Sequence, residues 1–253
     1  MIKHLKSPLI SCPHEFFTFK RQEPDVKKSS TSFAFSNFDT NSETIANKRL
    51  ISKSLNQTKT IKILTIKQVH SNRVLVLDES RISDKTQEVD GIVTKIPNIA
   101  ISILSADCAP ILFFEPTKKV IGCAHAGWRG ALVGITDNVI KEMVRLGANK
   151  SLITAIIGPC ISRPNYEVGD DFKETFLEQD TSSKMFFTSK EKNKYTFDLP
   201  GYLVNRLKNM GIRNTQWINL CTYSNEHLFH SYRRACHKGE PNYKRNISVI
   251  SLD

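Results

Sequence analysis

Residues 99–130, IAISILSADCAPILFFEPTKKVIGCAHAGWRG, carry the clearest fold signal in the chain. Three short runs rich in β-branched and aromatic residues, IAISIL, ILFFE and VIGCA, are separated by the segments SADCAP and PTKK. Runs of this composition predict β-strands. Because the runs are continuously apolar, we expect both faces of these strands to be buried.

Similar patterns extend in both directions from this centre. Further strand-like runs are IKILTI (61–66), RVLVLD (73–78), LITAIIG (152–158) and ISVISL (247–252). Helical periodicity covers four segments, residues 41–55, 130–146, 168–177 and 203–210. Gly147 directly follows the second segment, where a glycine often ends a helix. The polar residues 22–32 and 178–194 predict loops. The mixture indicates an α+β or mixed α/β fold, and no change in composition divides the 253 residues into two domains.

Basic residues outnumber acidic ones by 36 to 25, which gives a formal net charge of +11. Such a balance fits either a nucleic acid or a small anionic molecule as partner. The basic runs, such as Lys27-Lys28 and Arg233-Arg234, contain only two residues. We therefore interpret most of the charge as a general basic composition and do not expect nucleic acid to be the main partner. The sequence gives no prediction of the oligomeric state.

The cysteine content favours a reducing compartment. The chain contains six cysteines, and its first residues, MIKHLKSPLI, show no secretory signal. A long chain without a dense cysteine framework is typical of reduced thiols in a cytoplasm. The longest mostly apolar run, residues 99–114, is interrupted by Asp107 and Pro110 and is too short to span a bilayer. We expect a soluble cytoplasmic protein without a membrane segment.

Three residues that could hold a metal ion stand beside the predicted strands. His70 follows IKILTI, Cys108 lies between IAISIL and ILFFE, and His125 ends VIGCAH. Two imidazoles and a thiolate suit Zn²⁺ with a fourth position open for water or substrate, and they also suit copper. The spacing alone contains no CxxC or HxxxH pair, so structural histidines and a buried cysteine remain the simpler interpretation of these residues.

Two neighbouring features add weight to the metal interpretation. Asp107 is a carboxylate in an apolar stretch, which is unfavourable unless the group is paired or functional. It could orient a ligand histidine, act as a general base, or only cap a turn before Pro110. The segment HAGWRG (125–130) offers helix N–H groups and Arg129 to an anion. A structural turn explains its glycines equally well.

Seven motifs follow one another along the chain. They are KQVHSNRV (67–74), VDGIVT (89–94), SADCAPILFF (105–114), HAGWRG (125–130), IGPCISRPNYEVG (157–169), FDL (197–199) with Asn205, and FHSYRR (229–234). This set resembles the YfiH family, also called the laccase-domain or multicopper polyphenol oxidase family. The match runs from about residue 61 to the C-terminus, and SADC followed by HAGWRG is its most specific part.

The resemblance implies both a fold and a chemistry. It implies one domain over residues 1–253 with a four-layer αββα arrangement around a mixed β-sandwich. It implies a metal ion, usually zinc, on His70, Cys108 and His125. It also implies phosphorolysis of adenosine, inosine and methylthioadenosine, with adenosine deamination as a side activity, so the expected partners are a nucleoside and phosphate. Some members are linked to editing of peptidoglycan precursors.

These expectations assign roles to the remaining candidates. The catalytic group comprises Asp107 together with the ligands Cys108 and His125. Trp128 or Tyr166 could stack on a purine base. The three arginines Arg129, Arg233 and Arg234 could neutralise phosphate, and the resemblance places the segment 231–234 in the pocket wall.

Residues 1–60 form the divergent N-terminal part of the expected domain. Family members show a Thr-Thr-Arg-Gly-Gly-Val-Ser-like stretch, which is replaced here by FFTFKRQEPDVKKSSTSFAFSN (16–37). Lys20 stands about where the arginine is expected. Lysine keeps the positive charge but lacks the bidentate fork of arginine, so we expect Lys20 to bind substrate more weakly or differently.

Three other functions remain open at this point. A copper-dependent polyphenol oxidase needs more histidines, in paired local motifs, than the seven of this chain supply. A hydrolase that edits peptidoglycan precursors could use Cys108 as nucleophile and His70 or His125 as base. A basic binding protein would bind nucleic acid in a salt-dependent manner.

Overall fold

The computed structural model describes residues 4–17, 42–56, 60–81 and 87–252. Within these ranges the strands are His4–Leu5 (β1), His14–Phe17 (β2), Lys62–Leu64 (β3), Val74–Leu77 (β4), Gly91–Thr94 (β5), Ile99–Ser105 (β6), Ala109–Glu115 (β7), Val120–Ala126 (β8), Thr154–Ile157 (β9), Glu167–Gly169 (β10), Phe187–Glu191 (β11), Lys194–Phe197 (β12), Asn214–Trp217 (β13) and Asn246–Ser251 (β14). The helices are Ser42–Leu55 (α1), Trp128–Leu132 (α2), Ile135–Arg145 (α3), Asp170–Gln179 (α4), Leu199–Asn209 (α5) and Tyr232–His237 (α6). Short 3₁₀ helices span Glu79–Arg81, Lys150–Leu152, Arg163–Asn165 and Thr181–Phe186.

The strands form two large sheets and one small sheet. The first large sheet has the order β13-β9-β7-β8-β5-β4, the second has the order β1-β2-β14-β6-β3, and the small sheet has the order β10-β12-β11. Both large sheets are mixed, because the pairs β13/β9, β4/β5 and β3/β6 are parallel while β7/β8 and β14/β6 are antiparallel. The chain passes from β6 of the second sheet into β7 of the first, so residues 106–108 connect the two sheets.

Alternating side chains bury both faces of the central strands. In β7, Leu112 and Phe114 pack between the two sheets, whereas Ile111 and Phe113 pack against the layer that contains α3 and α5. Burying one such side chain contributes roughly 2 kcal/mol. On the far side of the second sheet, Ile51 of α1 belongs to a third buried cluster. The layers are therefore helix, sheet, sheet, helix, and the predicted four-layer αββα fold of one domain is confirmed.

The helix predicted over residues 130–146 is interrupted in the structure. It consists of α2 and α3, which are separated by Val133 and Gly134. Gly134 has a φ of 85°, a left-handed conformation that glycine adopts at least cost. Gly147 follows α3 with a φ of 97°, as expected for a glycine after a helix C-terminus.

Three other boundaries differ from the sequence predictions. The helix expected from residue 168 begins at Asp170, because Val168 belongs to β10. The expected loop 178–194 contains a 3₁₀ helix and β11. The helix expected from residue 203 begins at Leu199, where the Asp198 side chain caps its N-terminus by accepting from the Gly201 N–H.

The predicted helix over 41–55 is confirmed, and the predicted loop 22–32 lies outside the described residues.

No helix in the described part of the chain has the length and apolar character needed to cross a membrane.

Candidate metal centre

The three predicted ligands, His70, Cys108 and His125, come together in the fold. Their ligand atoms all lie within 4.8 Å of one another. Within the described ranges, no other three or more His, Cys, Asp or Glu residues are grouped so that they could hold a metal ion. Cys108 Sγ is 3.8 Å from His70 Nε2. The two imidazole rings meet edge to face, with their centroids 4.8 Å apart. The structure thus assembles a potential ligand set from residues that are distant in sequence.

Each ligand is held by a different local structure. His125 lies within β8, between its pairing partners β5 and β7. Cys108 lies in the connection between β6 and β7, directly after Asp107, whose φ is 86°. His70 lies between β3 and β4 and has a φ of 61°. Positive φ values are unfavourable for residues with a side chain and cluster at functional sites. Of these two residues with positive φ, His70 is itself a candidate ligand and Asp107 directly precedes the candidate ligand Cys108.

The ligand side chains influence one another's protonation. Burial raises the pKa of the Cys108 thiol, but His125 and His70 lower it by more, to about 6. Burial lowers the pKa of His125, but the neighbouring Cys108 and Asp90 raise it by more, to about 9. At neutral pH these two groups therefore favour a thiolate beside an imidazolium. The thiolate is the form of cysteine that binds metals and acts as a nucleophile.

The geometry fits one transition-metal ion. Tetrahedral zinc with bonds of roughly 2.1 Å to nitrogen and 2.3 Å to sulfur places ligand atoms about 3.5 Å apart, which is close to the 3.8 Å between Cys108 Sγ and His70 Nε2. Gly127 keeps this region open, because a Cβ there would lie 2.9 Å from Cys108 Sγ and 2.9 Å from His70 Cδ2. A set of two imidazoles and one thiolate suits zinc and copper.

A carboxylate orients one ligand histidine, and this carboxylate is Asp90. His125 Nδ1 donates to Asp90 Oδ1 at 2.9 Å, so Nε2 is the ring nitrogen that could bind a metal ion, with release of its proton. Burial raises the pKa of Asp90, but the hydrogen bonds from His125 and Ser71 lower it by more, to about 2. Asp90 is therefore ionised at neutral pH and favours the proton on the Nδ1 atom of His125.

Asp107 has other partners than a ligand histidine. Its carboxylate accepts hydrogen bonds from Thr222 Oγ1 at 2.6 Å, from Ser231 Oγ at 2.9 Å and from the Arg233 backbone N–H at 2.7 Å. The prediction that Asp107 orients a histidine is wrong, because its oxygens accept from Thr222, Ser231 and Arg233 instead. Its role as a general base stays a prediction.

Arg233 and Tyr166 lie close to Asp107, the residue before Cys108, because the Arg233 backbone N–H donates to the Asp107 carboxylate and the Arg233 guanidinium lies near the Tyr166 ring. Arg233 lies 5.5 Å from the ring centroid of Tyr166 and donates from Nη1 to the Glu167 carbonyl at 3.0 Å. The pKa of Tyr166 is raised, first by burial and then by the negative charges of Cys108 and Asp107, while Arg233 and Arg129 oppose this shift. These contacts place one cation and one aromatic ring near the candidate ligand Cys108.

Trp128 is largely engaged in packing. Its ring lies 4.9 Å from the ring of Phe172 and contacts the core beside the first sheet. The guanidinium of Arg129 lies 4.3 Å from the Trp128 ring centroid. These contacts fit a role in positioning Arg129. Stacking of a substrate base on Trp128 stays a prediction.

The chain has relatives among known proteins. A sequence model of the family described as multi-copper polyphenol oxidoreductase laccase matches residues 15–253. The chain belongs to this family, the YfiH family. It is 38% identical over 191 residues to a protein of Rickettsia prowazekii (strain Madrid E) named purine nucleoside phosphorylase RP494, an alignment that covers 75% of this chain and 78% of the relative.

Two further comparisons concern another relative and a solved structure. The chain is 38% identical over 117 residues to adenosine deaminase RL5 from an unknown prokaryotic organism, which covers 44% of this chain and 45% of the relative. The crystal structure of the hypothetical protein YfiH from Bacillus licheniformis matches with a TM-score of 0.81 and 25% identity over 95% of this chain and 92% of the other. This likeness supports the YfiH-family fold described above.

Arg234 of this YfiH-family chain stabilises the backbone of residues 222–229. Its guanidinium donates to the carbonyl oxygens of Thr222 and Tyr223 at 2.8 Å each, and to that of Phe229. These contacts argue against the predicted role of Arg234 as a phosphate ligand, since its guanidinium already spans three carbonyl groups.

Some functional residues were missed by sequence reasoning, and one lies outside the described ranges. Asp90 and Gly127 stand within the quoted motifs VDGIVT and HAGWRG, but nothing in the motifs alone indicates their contacts. A carboxylate directly before a buried strand, as in VDGIVT, is the signal that could have pointed to Asp90. Lys20 lies outside the described residues, so its contact with substrate stays a prediction.

Proposed function

We propose that this YfiH-family chain is a zinc-dependent purine nucleoside phosphorylase that acts on adenosine, inosine and methylthioadenosine. The observation that carries the proposal is a group of three residues able to ligate a metal ion, near Arg233 and the half-buried Tyr166. The name of the Rickettsia relative supports the same reaction. Copper suits the same ligands and is the alternative metal.

The reaction breaks one bond and forms another at the ribose. An oxygen of inorganic phosphate bonds to C1′ while the bond from C1′ to the purine nitrogen breaks. The electron pair of that bond goes to the base, which takes up a proton, and ribose 1-phosphate is the second product. When bound, zinc would polarise a substrate oxygen or activate a water molecule.

The residues of the chain would bind and orient the two substrates. Arg129 and Arg233 neutralise the phosphate, since guanidinium groups match its oxygens in charge and geometry. The pKa of Tyr166 is raised from a value already above neutral pH, so its hydroxyl is protonated and can donate a hydrogen bond to the base, or its ring can stack on it. Lys20 would add positive charge from the N-terminal segment.

Adenosine deamination is a second candidate activity, supported by the name of the relative RL5. In this reaction a water oxygen replaces the amino group on the purine ring, and ammonia leaves. Deamination needs no phosphate, whereas phosphorolysis requires it. Dependence on phosphate therefore separates the two activities on the same substrate.

Two further alternatives use the same ligands differently. The family description includes laccases, but the described residues supply one group of three ligands, which is enough for one ion. The lowered pKa of Cys108 would also suit a metal-free hydrolase that uses a thiolate nucleophile. Alkylation of Cys108 that is blocked by zinc and restored by a chelator would favour metal ligation over a free nucleophile.

The test combines elemental analysis with a substrate screen. Purified protein is incubated with inosine or adenosine, with and without phosphate, and the products are separated by chromatography. We expect stoichiometric zinc, free base and ribose 1-phosphate only with phosphate, and loss of both metal and activity in Cys108→Ala. Cys236→Ala is the matched control, because Cys236 is an exposed cysteine outside the ligand group. The proposal fails if wild-type protein releases no more base than Cys108→Ala, or if it contains stoichiometric copper and oxidises phenols.

A further inference from the structure

One buried carboxylate contacts both segments that carry the ligand histidines. Asp90 stands directly before β5 and is fully buried. Its Oδ1 accepts from the His70 backbone N–H at 3.0 Å and from His125 Nδ1 at 2.9 Å. Its Oδ2 accepts from the Val69 N–H at 3.2 Å, and from the N–H and hydroxyl of Ser71 at 2.6 and 2.8 Å. All five donors come from the two ligand segments.

These contacts stabilise an unfavourable backbone conformation at His70. Three consecutive N–H groups, those of residues 69–71, turn toward one carboxylate, and the central residue has a φ of 61°. Consecutive N–H groups that converge in this way form a site for an anion. His70 lies outside the regular strands and is exposed, so beyond the contacts of its ring with His125 and Cys108 it is held through its backbone.

The same oxygen that accepts from His70 also fixes the other histidine. A bond from His125 Nδ1 to Asp90 holds the ring so that Nε2 remains free to coordinate. The backbone adds a second link, because the His125 N–H donates to the Asp90 carbonyl at 2.7 Å. One residue thus contacts the backbone of one candidate ligand and the ring of the other.

We propose that Asp90 is the positioning residue of the metal centre, with a single carboxylate that holds the His70 segment and the His125 ring in the geometry required for coordination. This inference rests on the metal site of the proposed function, but it does not depend on which reaction that site performs. Partners of this kind typically change metal affinity by roughly 10- to 100-fold when they are removed.

The variant Asp90→Asn tests the proposal with little change in size. The amide keeps one acceptor oxygen but presents an NH₂ group to donors that need an acceptor. We expect zinc affinity, measured by competition with a coloured chelator, to fall by roughly 10- to 100-fold. We expect cobalt-substituted protein to lose or shift its thiolate-to-metal and d–d absorption bands, which report ligand geometry rather than stability.

Glu115→Gln is the matched control. Glu115 is also fully buried in the first sheet, and its carboxylate accepts from the backbone N–H groups of Thr117 and Lys118 in the turn after β7. We expect this variant to lose stability but to keep the zinc affinity and cobalt spectrum of the wild type. Ser71→Ala removes one of the five donors to Asp90 and is expected to lie between wild type and Asp90→Asn, which keeps the test usable if Asp90→Asn folds poorly.

The outcomes separate this proposal from the proposed function. Wild-type zinc affinity and an unchanged cobalt spectrum in folded Asp90→Asn, or in Ser71→Ala if only that variant folds, would overturn the positioning role. An equal loss of affinity in Glu115→Gln would overturn it too, because the effect would then be general destabilisation. Metal binding without phosphorolysis in the wild type would overturn only the proposed reaction, whereas a wild type that binds neither zinc nor cobalt would overturn both.

Discussion

Arg233 and Arg234 are neighbours in the sequence, but their guanidinium groups have different surroundings. Arg233 lies over the ring of Tyr166 beside the metal ligands, while Arg234 spans three carbonyl oxygens of the segment 222–229. The difference arises because both residues lie in α6, where consecutive side chains point in different directions. Arg233 therefore faces the candidate site, whereas Arg234 stabilises the backbone of residues 222–229.

Arg234→Ala is expected to act mainly on stability, and Arg233→Ala mainly on phosphate binding. Arg234→Ala should lower the free energy of unfolding by about 2 kcal/mol, because carbonyl groups lose a charged donor. Arg233→Ala should lower stability by less, because its guanidinium donates to one carbonyl, that of Glu167, and should raise the KM for phosphate by roughly tenfold, as expected for loss of one charged hydrogen bond. Urea denaturation and steady-state kinetics measure the two effects. A raised KM at unchanged stability in Arg234→Ala would return that residue to the substrate site.

Sequence reasoning predicted which residues of rare chemistry the fold brings together, and it missed a residue whose role depends on its contacts. Histidine and cysteine in the motifs KQVH, SADC and HAGWRG are few enough to single out as ligands. Asp90 is one of many acidic residues, and its partners Ser71 and His125 lie 19 and 35 positions away. No local pattern links positions so far apart.

At the scale of elements, the break between α2 and α3 shows what periodicity can and cannot predict. Leu132, Ile135, Val139 and Met143 follow helical spacing and are all buried in one cluster. The prediction that these residues form one buried apolar face is therefore confirmed. Its spacing continues through Gly134, although the backbone there is left-handed. The apolar pattern predicts which face is buried but not whether the axis is continuous.

Gly134→Ala should be more destabilising than Gly147→Ala. Both alanines would adopt a positive φ, at a cost of roughly 1–2 kcal/mol. A Cβ at position 134 would also lie 2.9 Å from Arg206 Nη2, whereas a Cβ at 147 meets nothing within 4 Å. Arg206 cannot move away freely, because it forms a bidentate pair with Asp137 at 2.6 and 2.9 Å. Displacing it should add about 1 kcal/mol.

Chemical denaturation of both variants, with and without Arg206→Ala, checks this expectation. The extra cost at position 134 should disappear when Arg206 is already alanine. Equal losses for the two glycine variants in the wild-type background would contradict the proposed contact.

The small sheet was missed for a different physical reason. Strand β11 has the sequence FTSKE, and four of its five residues are exposed. A strand without a buried face has no alternating apolar pattern, so its polar composition predicts a loop. Its hydrogen bonds with β12 become visible only in three dimensions.

At the scale of the whole molecule, the three candidate metal ligands lie where the two large sheets are connected. His125 belongs to β8 in the first sheet, and Cys108 lies in the connection that leads there from β6 of the second. His70 follows β3, which pairs with β6. The candidate site thus forms only when both sheets have assembled, which agrees with a fold of one domain.

Metal binding is therefore expected to stabilise the whole chain. Zinc at 100 times its Kd should raise the free energy of unfolding by about 2.7 kcal/mol, because it binds the folded state. Far-ultraviolet circular dichroism and the fluorescence of Trp128 and Trp217 should show one shared transition at a higher Tm. Cys108→Ala should remove the shift. A zinc-dependent change in fluorescence alone would indicate a local effect.

The separation of the candidate ligands along the chain also affects how much the length of the segments between them can vary within the family. His70 and Cys108 are 38 positions apart, and this distance hides the site from local sequence patterns. The entropy lost on closing a flexible loop grows only with the logarithm of its length, so each doubling costs about 0.6 kcal/mol. Insertions or deletions between the ligand motifs should therefore be tolerated, provided that β5, β6 and β8 keep their register.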